Sequence, residues 1–347
     1  MKNRRLYFKQ PFVCNVREEP LPEARKSQLL VRTTCSAISA GTEMLVFQGR
    51  FPAGMTLDAT LPSLAGQPFA YPLAYGYSSV GTVVAAGPLA DPAWVGARVF
   101  AFQPHQSHFV VQPEELIRVP SHVPDDDAVF LAAMETAVNL VMDGRPVVGE
   151  RVLVLGQGII GLLATAVLAR FPLEALAVLE RWPLRRQAAL DMGAGAAWAG
   201  DEPDWIDAAA MGFNRQAADG GADLLFEVSG QPAMLDTAIA WAGFGGRIVV
   251  GSWYGTKAAP IDLGGRFHRN RLQLLSSQVS TLAPEVTIRW TKQRRLATAW
   301  ECLVRVRPSR LITHRFDIAE AQAAYEQVAD RPGETLQVLL TYGEPPK

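Results

Sequence analysis

Three glycines with the spacing G-x-G-x-x-G lie between two apolar stretches of the sequence. They are Gly156, Gly158 and Gly161, with Ile159 and Ile160 between the last two. Residues 152–155 have the composition of a buried strand, and an apolar, helix-like pattern continues from the glycines to residue 169. Between a strand and a helix, the first glycine permits a tight turn, the second lets the backbone approach a pyrophosphate, and the third lets the helix pack on the strand. The amides at the helix start then face the phosphates. We therefore predict a dinucleotide-binding loop.

A carboxylate ends the next predicted strand. Glu180 follows the last glycine by about 20 residues, the spacing at which an acid accepts hydrogen bonds from the adenosine ribose. A carboxylate there repels a 2′-phosphate, which favours NAD over NADP. Arg181, Arg185 and Arg186 leave NADP open because they could bind that phosphate, although such a run is more often a solvated helix face.

The run from residue 152 to 169 carries no charge and is just long enough for a membrane span. The glycines near its start and its strand-like first residues favour the nucleotide-binding interpretation instead.

The composition predicts a globular chain of two domains. It has 347 residues, of which 49% are hydrophobic and 19% charged, and a formal net charge of −1. This charge gives no reason to expect nucleic acid or membrane as a partner, and the basic patch at 266–271 is expected to be solvated surface. The three cysteines are widely spaced and no signal peptide is visible, so we expect reduced thiols in a cytoplasmic protein.

The order of predicted elements separates a β-rich part from an α/β part. The first 120 residues are β-rich, with strand-like segments at 29–38, 81–86, 98–102 and 108–111 punctuated by Gly and Pro, and a helix is predicted from Asp125 to about Asp143. Strands and helices then alternate, which indicates a doubly wound parallel sheet. Its strands are predicted at 152–155, 176–180, 223–228, 247–251 and 272–279. A last helix at about 317–329 and a strand at 336–342 are expected to return to the β-rich domain.

A chain-long series of motifs resembles the medium-chain dehydrogenase/reductase superfamily, whose zinc-type alcohol dehydrogenases are the best-known members. The motifs are Ser36–Glu43, Tyr75–Val83, Met134–Asn139, the glycine loop, Phe226–Gly230 and Gly245–Gly251. Within the superfamily the chain is similar to threonine-dehydrogenase-like proteins and, more distantly, to bacteriochlorophyllide dehydrogenases. The resemblance implies a GroES-like catalytic domain at 1–132 plus 281–347 and a Rossmann domain at 133–280. It implies NAD or NADP as cofactor, contacted also by Val228, Ser229 and Gly251.

The zinc ligands of that superfamily are replaced in this chain. Ser39 occupies the place of a cysteine ligand, and Tyr77 occupies the place of a histidine ligand. A hydroxyl and a phenol are poor Zn²⁺ ligands beside thiolate and imidazole. The four-cysteine structural zinc loop is also missing, and Glu135 alone keeps a ligand-type residue. We therefore expect no zinc.

Four residues are candidates for the chemistry that zinc would otherwise assist. The resemblance places Ser39, Tyr77 and Glu135 around the nicotinamide, with Tyr77 polarising the substrate oxygen and Ser39 as a relay. Tyr77 could instead be an aromatic core residue. Glu135 lies in an almost wholly apolar helix, where burial should raise its pKa, but it could also be a structural carboxylate paired with an arginine.

Two histidines follow the strand at 98–102. His105 could be the general acid/base, or a core or surface histidine. A rebuilt metal site from His105, His108 and Glu135 is a weaker alternative.

These observations predict a zinc-independent NAD(P)-dependent oxidoreductase that transfers a hydride between the nicotinamide and a small alcohol or carbonyl substrate. The alternatives are an enone or quinone (C=C) reductase and a non-catalytic nucleotide-binding protein of the same fold. The strand at 272–279 would leave an open sheet edge, so a homodimer or homotetramer is expected.

Overall fold

The computed structural model describes residues 2–52, 54–57, 61–200, 205–213 and 220–343. The chain divides into two units. The first comprises the residues up to Ala132 and those from Arg307 onward, and the second comprises Ala133–Val306.

The strands are β1 Lys2–Gln10, β2 Val13–Pro20, β3 Leu29–Ala37, β4 Ser79–Ala86, β5 Arg98–Ala101, β6 His108–Val111, β7 Leu116–Arg118, β8 Arg151–Leu155, β9 Ala175–Leu179, β10 Ala196–Trp198, β11 Ala222–Glu227, β12 Ala242–Val250, β13 Gln273–Ser276, β14 Ile312–Asp317 and β15 Gln337–Thr341. The α-helices are α1 Thr42–Phe47, α2 Asp125–Ala128, α3 Leu131–Gly144, α4 Ile159–Leu168, α5 Pro183–Asp191, α6 Trp205–Ala210, α7 Met234–Trp241, α8 Lys292–Val306 and α9 Ala321–Asp330.

The second unit is built on a six-stranded parallel sheet with the order β10-β9-β8-β11-β12-β13. Its central strands are buried along nearly their whole length, which explains their uninterrupted apolar sequences. Numbered within the unit, the order is 3-2-1-4-5-6, and it reverses between β8 and β11. Ligands of such sheets bind beyond the carboxyl ends of the strands at this reversal. The predicted glycine loop follows β8, and therefore lies at that point.

The first unit contains a two-stranded sheet, β1-β2, and a seven-stranded sheet in which β3 and β4 are central. Along β3, buried Val31, Thr33 and Cys35 alternate with exposed Arg32 and Thr34, as the two-residue period of a strand requires. The strands β3 and β4 run antiparallel with Ser36 opposite Ser79. The segment that follows β3 consequently lies beside the segment that precedes β4.

The predicted fold class is confirmed: a Rossmann-like parallel sheet and a separate β-rich sheet are both present. The single helix predicted from Asp125 to about Asp143 is instead two helices, α2 and α3. At the break between them, the hydroxyl of Ser78 donates to the carbonyl oxygen of Val129 at 2.5 Å. This carbonyl therefore binds a side chain outside the helix. The strands β1, β2, β7, β10 and β14 were not predicted individually.

The division between the units also differs from the prediction at one end. The sequence placed the return to the first domain at residue 281, whereas the structure keeps residues up to Val306 in the second unit. The physical reason is α8, which packs on α4 and contributes a buried arginine to a contact with α3. Among the described residues, no helix is long and apolar enough to cross a membrane. The uncharged run at 152–169 is divided between β8 and the ten residues of α4.

Candidate functional site

The glycine loop joins β8 to α4 in the predicted manner. Gly156 has a φ of +93°, a conformation that side chains rarely adopt, and a Cβ on it would lie 2.5 Å from the Cα of Ser229. A Cβ on Gly161 would lie 2.0 Å from the carbonyl oxygen of Gly156. Both positions therefore require glycine for close packing. Gly158 precedes α4, and a Cβ there would meet no atom within 4 Å, so this side of the loop is open.

The first turn of α4 is suited to an anion. Gly158 provides no side-chain cap, and Ile159, Ile160 and Gly161 form the first turn without an acidic residue among them. The first amides of an α-helix have no partner within the helix, and its N-terminus carries a partial positive charge. A pyrophosphate would satisfy both.

The structure brings the other predicted cofactor residues of β11 and β12 to this loop. Val228 contacts two glycine positions, because its methyl groups would lie 3.3 Å from a Cβ on Gly161 and 3.1 Å from a Cβ on Gly251. Ser229 packs against Gly156. The contacts among Gly156, Gly161, Val228, Ser229 and Gly251 bring together the segments that follow β8, β11 and β12. These segments form the candidate cofactor site.

Glu180 lies at the end of β9 and is 7% exposed. Its carboxylate accepts hydrogen bonds from the backbone N–H of Gln157 at 2.8 Å and of Trp182 at 3.0 Å. The first of these contacts attaches the acid to the glycine loop itself. Two backbone donors therefore fix the side chain of Glu180 beside the loop.

The three predicted arginines have different surroundings. Arg186 donates to the carbonyl oxygens of Glu180 at 2.9 Å and Arg181 at 2.7 Å, so it caps the strand end. The guanidinium of Arg181 lies over the ring of Trp182 at 4.7 Å. Burial lowers the pKa of Arg185, although the nearby Glu180 carboxylate opposes that shift.

A second buried carboxylate, not predicted, lies beside the same loop. Glu227 ends β11, is fully buried, and accepts from the N–H of Ser229 at 2.8 Å and from the phenol of Tyr254 at 2.5 Å. Burial, and then the Glu227 charge, raise the pKa of Tyr254 far above its usual range. Glu227 thereby fixes the segment that packs on Gly156. Its sequence signal was an acid directly after the apolar run Leu224–Phe226.

In the first unit, Ser39 and Tyr77 form a hydrogen-bonded pair. Ser39 follows β3 and Tyr77 precedes β4, and the antiparallel pairing of these strands brings them together. The phenol of Tyr77 donates to Ser39 Oγ at 2.5 Å. Both residues are partly exposed. Tyr77 also packs edge-on against Tyr75, as an aromatic core residue would.

His105 is fully buried in the same unit, and both of its ring nitrogens have partners. Nε2 lies 2.9 Å from Glu43 Oε2, and Nδ1 lies 2.7 Å from Ser36 Oγ. His108 is also buried, and burial lowers its pKa, with the charges of Arg32 and Arg4 adding to the effect. With both ring nitrogens bonded, His105 has none left to bind a metal or a substrate.

These residues do not suit a zinc ion. Ser39 and Tyr77 offer a hydroxyl and a phenol that already bind each other. Within the described ranges, no three His, Cys, Asp or Glu side chains are grouped closely enough to hold a metal.

In the second unit, Glu135 on α3 forms an ion pair with Arg295 on α8. The closest N–O distance is 2.8 Å, and the side chains are 3% and 0% exposed. Arg295 also donates to Asn139 Oδ1 at 2.5 Å and to the carbonyl oxygens of Val279 and Thr281. The sequence had left open a structural carboxylate paired with an arginine, and this is the contact that the structure shows.

The partners of Glu135 and His105, which are Arg295 and Glu43, were not predicted from the sequence. Each is a charged residue at a position where the surrounding pattern is apolar. Arg295 stands on the stripe of α8 whose other buried members are Ala299, Leu303 and Val306. Glu43 stands in the buried helix α1 immediately before Met44. Such residues are almost never buried without a partner, so each implied one.

Known proteins with similar sequences include dehydrogenases of sugars and sugar acids. The chain is 32% identical over 174 residues to 2-dehydro-3-deoxy-L-galactonate 5-dehydrogenase of Pseudoalteromonas atlantica. The aligned residues make up 50% of this chain and 49% of that enzyme. It is 24% identical to D-guloside 3-dehydrogenase of Escherichia coli over 77% of each chain. The chain thus spans about half the length of the first relative. No protein-family model matches it.

Solved structures match over nearly the whole chain. The alcohol dehydrogenase RspB of Escherichia coli CFT073, solved with NADH, superposes with a TM-score of 0.78 at 20% identity, covering 98% of this chain and 99% of its own. A dehydrogenase of Sinorhizobium meliloti 1021 that is described as zinc-binding, solved with NADP, superposes with a TM-score of 0.76 at 18% identity, covering 98% of this chain and 99% of its own. The chain has the medium-chain dehydrogenase fold. At these identities the likeness concerns the fold alone.

Proposed function

We propose that the protein is an NAD(P)-dependent dehydrogenase that interconverts an alcohol and a carbonyl without zinc. The observation that carries the proposal is the cofactor site of the second unit. There the glycine loop, Val228, Ser229 and Gly251 pack together beside an uncapped helix N-terminus, with Glu180 bonded to the loop. This arrangement fits a pyrophosphate and a ribose.

NAD is the proposed cofactor, with NADP as the alternative. In this proposal Glu180 accepts from the adenosine ribose, and Arg186, one of the three arginines that could bind a 2′-phosphate, caps backbone carbonyls instead. Arg181 and Arg185 keep NADP open.

The Ser39–Tyr77 pair supplies the proton chemistry in this proposal. When bound, the nicotinamide exchanges a hydride with the substrate carbon. In the reducing direction, the phenol of Tyr77 donates to the carbonyl oxygen and transfers its proton as charge develops there. The hydroxyl of Ser39 then turns to return a proton to the Tyr77 oxygen, and solvent restores the proton on Ser39, which is partly exposed. Oxidation follows the same steps in reverse.

The substrate class that we propose is a polyol, sugar or sugar acid with a secondary alcohol. The two sugar dehydrogenases to which the sequence is similar support this class.

We also propose a homo-oligomer, because β13 at the edge of the parallel sheet is largely exposed. Size-exclusion chromatography with light scattering would show a single-chain mass if this is wrong. The widely spaced, unpaired thiols Cys14, Cys35 and Cys302 support a reducing, cytoplasmic compartment.

Calorimetric titration with NADH, NADPH and AMP, followed by turnover assays on polyols, sugar acids and enones, tests the function. We expect NADH to bind more tightly than NADPH and alcohols to be oxidised with NAD⁺. Turnover of enones alone would indicate a C=C reductase. Tight NADH binding with no turnover of any substrate would indicate a non-catalytic nucleotide-binding protein, and no binding of any nucleotide would refute the proposal.

A further inference from the structure

A fully buried acid–histidine pair lies behind Ser39 and Tyr77 in the first unit. Glu43 and His105 are each 0% exposed, and their carboxylate oxygen and Nε2 are 2.9 Å apart. Burying these two groups costs free energy unless each polar atom has a partner. The pair therefore needs a complete set of hydrogen bonds, and the structure supplies one.

The hydrogen bonds form an unbroken chain through the pair. Glu43 Oε1 accepts from the backbone N–H of Ser39 at 2.9 Å, and Oε2 accepts from His105 and from the phenol of Tyr325. Ser36 Oγ is hydrogen-bonded to His105 Nδ1 at 2.7 Å and to the phenol oxygen of Tyr342 at 2.6 Å. With Nε2–H assigned as the donor to Glu43, Nδ1 is the acceptor from Ser36, and each polar side-chain atom of the pair has a partner.

Each member of the pair touches one of the two segments that carry the proposed proton chemistry. Glu43 binds the backbone of Ser39, and the carbonyl oxygen of Ser39 in turn accepts from the N–H of Glu43 at 3.0 Å. The ring of His105 lies close to Gly76, the residue before Tyr77. A Cβ on Gly76 would lie 2.7 Å from His105 Cδ2, and the φ of Gly76 is +120°.

Among the hydrogen bonds that His105 and Glu43 make with the described residues, none reaches the hydroxyl of Ser39 or Tyr77, because the link to Ser39 runs through its backbone N–H. A backbone amide does not pass a proton onward. The contribution of His105 to the site is thus geometric.

We infer that Glu43 and His105 are positioning residues that set the hydrogen bond between Ser39 and Tyr77. The inference rests on the proposed function for its catalytic meaning, but the geometry it describes is present without substrate or cofactor. It assigns His105 a role different from the general acid/base suggested by the sequence. It also gives a reason for glycine at position 76, since a side chain there would displace the ring.

A pair of matched variants separates this role from ordinary packing. In His105→Gln, the amide nitrogen can take the place of Nε2 and still donate to Glu43. In His105→Asn, the shorter amide can take the place of Nδ1 and contact Ser36, but it cannot reach Glu43. Both variants remove the ring, so a merely structural effect would be similar in the two.

The measurement is the NMR resonance of the Tyr77 ring in the full chain labelled with ¹³Cζ-tyrosine, assigned by its loss in Tyr77→Phe. Ser39→Ala defines the position of the resonance when the hydrogen bond is absent. We expect His105→Asn to move the resonance most of the way to that position, and His105→Gln to leave it near the wild-type position.

Two results would overturn the inference. One is a Tyr77 resonance that is equally displaced or equally unchanged in the two His105 variants. The other is no displacement in Ser39→Ala. If His105→Asn does not fold, Glu43→Asp replaces it: the charge is kept, the side chain is too short to bind both Ser39 and His105, and the same displacement is expected. Since no cofactor is present, a failure here is distinguishable from a failure of nucleotide binding.

Discussion

Ser39 and Tyr77 are partly exposed and joined by a 2.5 Å hydrogen bond, whereas Glu43 and His105 behind them are fully buried. At the residue scale, this difference separates groups that can touch a substrate from groups that can only position others. The sequence identified Ser39, Tyr77 and His105 but not this division, because exposure depends on which segments the β3–β4 pairing brings together. Glu180 needed only its spacing from the glycine loop to be recognised.

Replacing Tyr77 with Phe tests the proposed proton chemistry. It removes the one donor that we expect at the substrate oxygen, and losing such a donor typically lowers kcat about 10²–10³-fold. Steady-state kinetics should show this loss with little change in the Kd for NADH. Tyr75→Phe is the matched control, since Tyr75 is a buried neighbour. Equal kcat values for wild type and Tyr77→Phe would contradict the assignment.

Replacing Glu180 with Gln tests the basis of cofactor choice. The substitution removes the negative charge that would repel a 2′-phosphate and keeps an acceptor. We expect the preference for NADH over NADPH to fall roughly tenfold, about 1.4 kcal/mol, as measured by calorimetry. Glu174→Gln removes an exposed carboxylate from the same unit and should leave the ratio unchanged. A ratio that is unaltered in Glu180→Gln would show that another group selects the cofactor.

We predict that the folding stability of the protein depends on pH through His108. Burial lowers its pKa below 6.5 in the folded state, so the unfolded chain binds a proton more readily. The resulting stability is fully present above pH 6.5 and is lost as the pH falls through the lower, folded pKa. Urea unfolding between pH 8 and pH 5 should show a smaller fall for His108→Gln than for wild type, with exposed His122→Gln as control. An identical fall in all three proteins would refute the prediction.

At the scale of elements, the strands and helices with strong apolar periodicity were predicted well, and their long-range partners were not. The helix α3 was expected, but the sequence could not tell which of many arginines pairs with Glu135. That partner lies 160 positions further along the chain, on α8. The same limit explains the boundary at 281: only the packing of α8 shows that residues up to Val306 belong with the second unit.

The buried pair Glu135–Arg295 should contribute strongly to the stability of the second unit. Removing one partner of a buried ion pair costs about 3–5 kcal/mol, because the other charge stays buried. We expect Arg295→Met to lower the free energy of unfolding by that amount, measured with urea. Arg315→Met breaks an exposed pair with Asp126 and should cost about 1 kcal/mol or less. A catalytic Glu135 would behave differently: Glu135→Gln would abolish turnover at unchanged stability.

At the scale of the whole molecule, the sequence motifs predicted the architecture of both units, and structures solved with NADH and NADP have the same fold. The fold does not determine which group polarises the substrate oxygen. Zinc-type members use a metal, and this chain offers a hydroxyl pair at the corresponding sequence positions. The predicted zinc independence therefore stands as the central claim of the proposal.

The most direct test is the zinc content of the purified protein, determined by elemental analysis and compared with its NAD⁺-linked alcohol oxidation. We predict far less than one zinc per chain, and turnover that neither falls with a chelator nor rises with added Zn²⁺. One tightly bound zinc per chain, with turnover in proportion to it, would contradict the account.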